Sequence, residues 1–229
     1  MKRIKATDMY IKSLRAMLSA TRLLFTNRRA LALLLTTYCA LLVTLYLFVS
    51  TREATVSQLL LTLLSIAVAP ALFFLIQSIS VTYATGSLRK VVIVSFKLFI
   101  VSLPVLALTV FAGYKVNLIT LRYLLIAVIA PLLAIQLWIA TSNTGLRSLG
   151  KRLGQVLSKT FAPHSVLVYA LGFLIFAVAP YLLLRKSIST DRAWLEISLL
   201  TVRLAASATL MLVGWVTTVG AISILSRDD

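Results

Sequence analysis

The chain is poor in acid. Six Asp and Glu stand against 23 Lys and Arg, a formal net charge of +17 over 229 residues. Charged residues of both signs amount to 13%, where a soluble domain carries about 25%. Cys39 is the single cysteine and His164 the single histidine. One cysteine excludes an intrachain disulfide and a cysteine metal cluster. One histidine, with no carboxylate near it in sequence, leaves no recognisable set of metal ligands and no evident nucleophile–base pair. The acids Asp8, Glu53, Asp191, Glu196, Asp228 and Asp229 fall in loops or near helix ends. None is placed at mid-membrane, which argues against an intramembrane protease, a carboxylate-dependent transferase and a proton carrier built on a buried acid. Phosphate loops, dinucleotide fingerprints and haem motifs are lacking as well. No cofactor and no metal are expected, and the chain is not expected to be an enzyme.

What is abundant is apolar. Hydrophobic residues make up 60% of the chain and the mean hydropathy is +1.01. A soluble fold of this size could not bury so much apolar surface, so part of the solvent must be lipid. A spanning helix needs about 20 apolar residues, and six stretches qualify, at about 30–50, 57–84, 91–113, 118–141, 163–184 and 193–225. Lys97 and Pro104 interrupt the third, and the sequence leaves open whether residues 91–103 span or lie at the interface. The first run has no small-x-small site after it and is expected to be retained rather than cleaved as a signal. The fold class is therefore all-α: a polytopic membrane helical bundle of six transmembrane helices. Residues 1–29 form a basic segment and residues 30–227 one membrane domain.

Two segments outside the spans are amphipathic. In the first, Tyr10, Leu14, Met17, Leu18, Thr21 and Phe25 share one helical face; Lys5, Asp8, Lys12, Arg15, Ser19 and Arg22 share the other. In the second, Leu146, Leu149, Leu153, Val156, Leu157 and Phe161 oppose Arg147, Lys151, Arg152 and Lys159. Such helices lie in the membrane interface. The basic excess fits anionic headgroups better than nucleic acid, because no soluble basic domain carries it. Lys12, Arg15, Arg22, Arg28, Arg29, Arg89, Lys90, Arg147, Lys151 and Arg152 are the expected anionic-lipid contacts. Arg122 and Arg203 are charges near the outer helix ends, placed to snorkel or to bind an anionic group. Trp138, Trp194, Tyr83, Tyr114, Tyr181 and Tyr10 fall near the proposed interfaces, as aromatic belts do.

A repeat is visible. Ala69-Pro70, Gln77 and Thr85-Gly86 in the second span resemble Ala130-Pro131, Gln136 and Thr144-Gly145 in the fourth, with nine residues from Gln to Gly in both. The layout reads as three tandem units of basic segment plus helical hairpin, though the last helix has Gly214 and Gly220 in place of a proline. Gln77, Ser80, Gln136 and Asn143 are polar positions from which an inner-leaflet cleft could be built. The alternative for them is hydrogen bonding between helices. The last helix is rich in small residues (Ala205, Ala206, Ala208, Thr209, Gly214, Thr218 and Gly220), which suits close packing in the bundle or against a partner.

These features lead to an integral membrane subunit or scaffold that binds anionic lipid and a partner protein through basic cytoplasmic helices. The alternative is a permease-like subunit for a lipid or amphipathic substrate, which would need a separate energising partner. A bacterial cytoplasmic (inner) membrane is the expected location. With both termini in the cytoplasm, sixteen Lys and Arg fall inside and seven outside, the asymmetry that sets orientation. A cysteine placed at position 186 in a Cys39→Ser background should therefore react with an impermeant thiol reagent added outside, and one at position 151 should not. Labelling of 151 alone overturns this topology.

Overall fold

The computed structural model of the chain describes residues 6–51, 55–83, 90–144, 149–185 and 192–228. Among the described residues there is no strand. The elements are α1 (Ala6–Thr26), α2 (Arg28–Ser50), α3 (Val56–Thr82), α4 (Val91–Lys115), α5 (Ile119–Leu124), α6 (Ala130–Thr144), α7 (Leu153–Thr160), α8 (Pro163–Phe173), α9 (Ala179–Arg185) and α10 (Ala193–Asp228). A π-helical turn, Leu125–Ile129, joins α5 to α6, and another, Leu174–Val178, joins α8 to α9. Six helical stretches are long and apolar enough to cross a membrane: Arg28–Ser50, Val56–Thr82, Val91–Lys115, Ile119–Asn143, Pro163–Arg185 and Trp194–Ser226. The chain is an all-α helical membrane protein. The stretch that the sequence left open, 91–103, belongs to one unbroken helix with the rest of α4.

Local chemistry explains where the helices start. Asn27 caps α2, its side-chain oxygen accepting from the Ala30 N–H at 3.1 Å. Thr55 caps α3 through the Gln58 N–H at 3.4 Å. Each satisfies one of the donors that every helix start leaves open.

The two π turns have a shared cause. Each ends on an Ala-Pro pair, in Leu-Ile-Ala-Val-Ile-Ala-Pro (125–131) and Leu-Ile-Phe-Ala-Val-Ala-Pro (174–180). A helical proline has no N–H and its ring crowds the carbonyl four residues earlier. The residue just before each proline takes the acceptor one place further back instead. The Ala130 N–H donates to the Leu125 carbonyl, and the Ala179 N–H to that of Leu174. A wider turn thus absorbs the ring. Pro70 ends a similar string, Leu-Ser-Ile-Ala-Val-Ala-Pro (64–70), yet α3 stays α-helical through it.

The chain divides into two compact units, residues 1–21 with 163–229, and residues 22–162; the boundary falls within α1. In the second unit α2 packs on α3, and α6 sits at the centre against α3, α4 and α7. The Ser78 hydroxyl donates to the Val91 carbonyl at 2.7 Å, tying the end of α3 to the start of α4. The Trp138 indole N–H donates to Ser102 Oγ at 2.7 Å, tying α6 to α4. Trp138 is 4% exposed and Tyr83 3%, so neither joins an aromatic belt. Trp138 can be buried because its one donor finds a partner there. Trp194, Tyr114, Tyr181 and Tyr10 are exposed, as belt residues must be.

In the first unit α10 packs along α8, the π turn and α9. The approach is close where side chains vanish. A Cβ added at Gly172 would lie 2.8 Å from Thr218 Cβ, and one at Gly214 2.9 Å from Ile175 Cγ2. Phe176 stacks edge-on against Trp215, ring centroids 5.2 Å apart. Small residues at such crossings replace the hydrophobic effect, which gives no drive between helices already in lipid. Gly172→Ala should thus cost about 1–3 kcal/mol by overpacking. Thr218→Gly in the same chain should return part of it, read as the melting temperature of the detergent-solubilised protein.

Candidate functional site

Exposure separates the basic residues from the buried polar ones. Lys12, Arg15, Arg22, Arg28, Arg29, Lys90, Lys151 and Arg152 are all exposed. Arg89 and Arg147, expected to join them, lie outside the described residues. Arg28 and Arg29 occupy the first turn of α2, which holds no acid, and Lys90 directly precedes α4. Cations at a helix N-terminus oppose the helix dipole, at about 0.3–1 kcal/mol each. An anionic surface near these ends would offset that cost.

The first amphipathic helix has three faces rather than two. Ser13, Ala16, Met17, Ala20 and Leu24 are buried. Tyr10, Leu14, Leu18 and Phe25 are exposed apolar residues. Asp8, Lys12, Arg15, Ser19 and Arg22 form the exposed polar face. Met17, placed by periodicity with the exposed apolar set, belongs instead to the packed face. The buried stripe is narrow and built largely of small residues (Ser13, Ala16 and Ala20), so no row of large apolar side chains marks it in the sequence. The helix α7 repeats the pattern in short form. Val156 and Thr160 are buried, while Leu153, Leu157 and Phe161 are exposed beside Lys151 and Arg152.

The proposed polar cleft is mostly packed. Gln77 is 2% exposed, Ser80 0% and Gln136 3%; Asn143 is exposed. The Ser80 hydroxyl donates to the Ile76 carbonyl of its own helix at 2.7 Å. Gln136 Nε2 reaches the Lys159 carbonyl at 3.5 Å, a long bond from α6 to the end of α7. Other buried hydroxyls close on their own helices in the way Ser80 does, among them Thr37, Thr141 and Thr160.

Arg203 has a defined structural task. Its guanidinium Nε donates to the Leu183 carbonyl at 2.8 Å and an Nη to the Leu184 carbonyl at 3.1 Å. These are carbonyls of the last described turn of α9, and a cation beside the C-terminal end of a helix suits the helix dipole. The sequence places Arg203 to snorkel or to bind an anionic group, because main-chain acceptors on a neighbouring helix are invisible in one dimension. Arg122 lies 5.9 Å from the Tyr123 ring centroid, and Arg185 lies 6.0 Å from that of Tyr181, both as cation–π contacts. His164 is half-buried in the first turn of α8. Among the described residues no three His, Cys, Asp or Glu side chains come together as a metal site.

Compared with protein-family models, with curated proteins and with solved structures, the chain gives no match.

Arg203→Ala should destabilise the detergent-solubilised protein by about 1.5–3 kcal/mol, the range for hydrogen bonds to a charged group. Arg203→Lys should recover part of that loss. An unchanged melting temperature for Arg203→Ala would overturn the capping role.

Proposed function

We propose that the protein is a non-enzymatic integral membrane subunit or scaffold. Its basic helices α1 and α7 bind the anionic cytoplasmic face of a membrane and hold a partner protein there. The observation that carries this reading is the pairing of exposed cations with exposed apolar side chains: Lys12, Arg15 and Arg22 beside Tyr10, Leu14, Leu18 and Phe25 on α1, and Lys151 and Arg152, just before α7, beside Leu153, Leu157 and Phe161 on and after it. In water these apolar side chains would lie uncovered next to charge. At a membrane interface the apolar members enter the acyl boundary while the cations meet headgroup phosphates, each worth roughly 1 kcal/mol near an anionic surface. The unfavourable cations at the start of α2 and before α4 support the same surface.

The placement of this surface on the cytoplasmic side rests on the distribution of Lys and Arg along the chain. The burial of Gln77, Ser80 and Gln136, with the bond from Gln136 to α7, favours packing within the bundle over an open transport path in this conformation.

Purified full-length protein in mixed-lipid nanodiscs should enrich phosphatidylglycerol over phosphatidylcholine around itself, and the enrichment should fall as salt is raised. Equal retention of both lipids at low salt overturns the lipid-binding part of the reading.

A further inference from the structure

In the first unit, α1 and the end of α10 enclose a groove of about 450 Å³ lined by Asp8, Ile11, Lys12, Arg15, Ala16, Ser19, Ile224 and Leu225. We propose that this groove is a specific site for one anionic glycerophospholipid headgroup. The inference rests on the lipid-binding reading above and sharpens it from a diffuse basic surface to a single shaped site.

Three features select this ligand. The first is charge and its spacing. Asp8, Lys12, Arg15 and Ser19 succeed one another at helical intervals along one face of α1, so one row carries two cations, one acid and one hydroxyl. The net charge of the row is that of one cation, the complement of a monoanionic phosphodiester. A guanidinium fork suits two phosphate oxygens, and an ammonium and a hydroxyl each add a donor. The second is position. Ile224 and Leu225 belong to the final apolar turn of the span Trp194–Ser226, so one wall of the groove stands where hydrocarbon gives way to headgroups. A free phosphate has no use for that wall or for Ile11, whereas a lipid brings its glycerol and first methylenes against them. Leu14 and Leu18, exposed on the adjoining face of α1, continue the apolar surface for a chain. The third is Asp8. An acid beside a phosphate site repels the phosphate, but it accepts well from a hydroxyl. It therefore favours a headgroup that carries hydroxyls beyond the phosphate, as the glycerol of phosphatidylglycerol does. A groove of this volume holds such a headgroup.

The test uses the full chain in phosphatidylcholine nanodiscs doped with phosphatidylglycerol, with the lipid retained through delipidation counted by native mass spectrometry. Lys12 and Arg15 are exposed, so Lys12→Gln/Arg15→Gln should fold, which an unchanged melting temperature checks. It should lose retained phosphatidylglycerol by about 10- to 30-fold, the equivalent of two near-surface basic residues. Ser19→Trp fills the groove with the charges in place and should lose the lipid too. Lys151→Gln/Arg152→Gln removes equal charge just before α7 and should keep the lipid. Three results overturn the groove. One is equal loss from the Lys151→Gln/Arg152→Gln variant, which leaves general lipid binding standing; the second is full retention by Ser19→Trp; the third is release of the lipid by inorganic phosphate at an ionic strength at which chloride leaves it bound. If wild-type protein shows no preference for phosphatidylglycerol, the general reading fails together with the groove.

Discussion

In hydrocarbon no water is present to pair a backbone N–H or C=O, so the protein must satisfy each of them itself. That constraint explains why the spanning stretches are helical, and it also explains their irregularities. At Pro131 and Pro180 the N–H of the preceding alanine moves to an acceptor five residues back, and the helix widens into a π turn around the ring. In the last described turn of α9 the carbonyls of Leu183 and Leu184 accept from Arg203 of the neighbouring helix. Buried hydroxyls such as Thr37, Ser80 and Thr141 turn back on their own carbonyls. Among the described residues, the buried hydroxyls of Ser13, Thr62 and Ser223 have no hydrogen-bond partner. A buried orphan of this kind costs about 1–3 kcal/mol.

With the backbone satisfied, burial follows a logic unlike that of a soluble protein. Only 11% of the apolar window of α2 is buried, against 61% for α10. Large side chains such as Tyr46, Val49 and Val92 face outward at more than 70% exposure, where lipid receives them. Since lipid is as apolar as leucine, packing between helices depends on fit. The crossing of Gly172 with Thr218 and the bond from Trp138 to Ser102 are therefore specific contacts that many interchangeable leucines could not provide.

Charge completes the division of labour. The acids are few, and the cations gather at helix ends and on or beside two amphipathic helices. Three faces on α1 give one helix a packed stripe, an exposed apolar stripe and an exposed basic stripe at once. A two-faced helix could hold only two of these, and the small residues Ser13, Ala16 and Ala20 make the third possible by keeping the packed face narrow.

Length and hydropathy alone determined the fold class, the six spans to within two residues at each end, and the two basic amphipathic segments. These are properties of contiguous sequence, because a spanning helix makes all its backbone bonds within itself. Tertiary structure decided which polar residues meet. Gln77 and Gln136 have equivalent places in a sequence repeat, but only the fold shows that both are buried and that Gln136 reaches across to the Lys159 carbonyl. Arg203 looked like an outer charge until α9 ended beside it. Trp138 looked like an interfacial anchor until Ser102 came within 2.7 Å of its indole nitrogen. In each case the deciding partner is a main-chain carbonyl or a small hydroxyl brought in from a distant part of the chain. Neither leaves a trace in hydropathy, and only packing brings them within bonding distance.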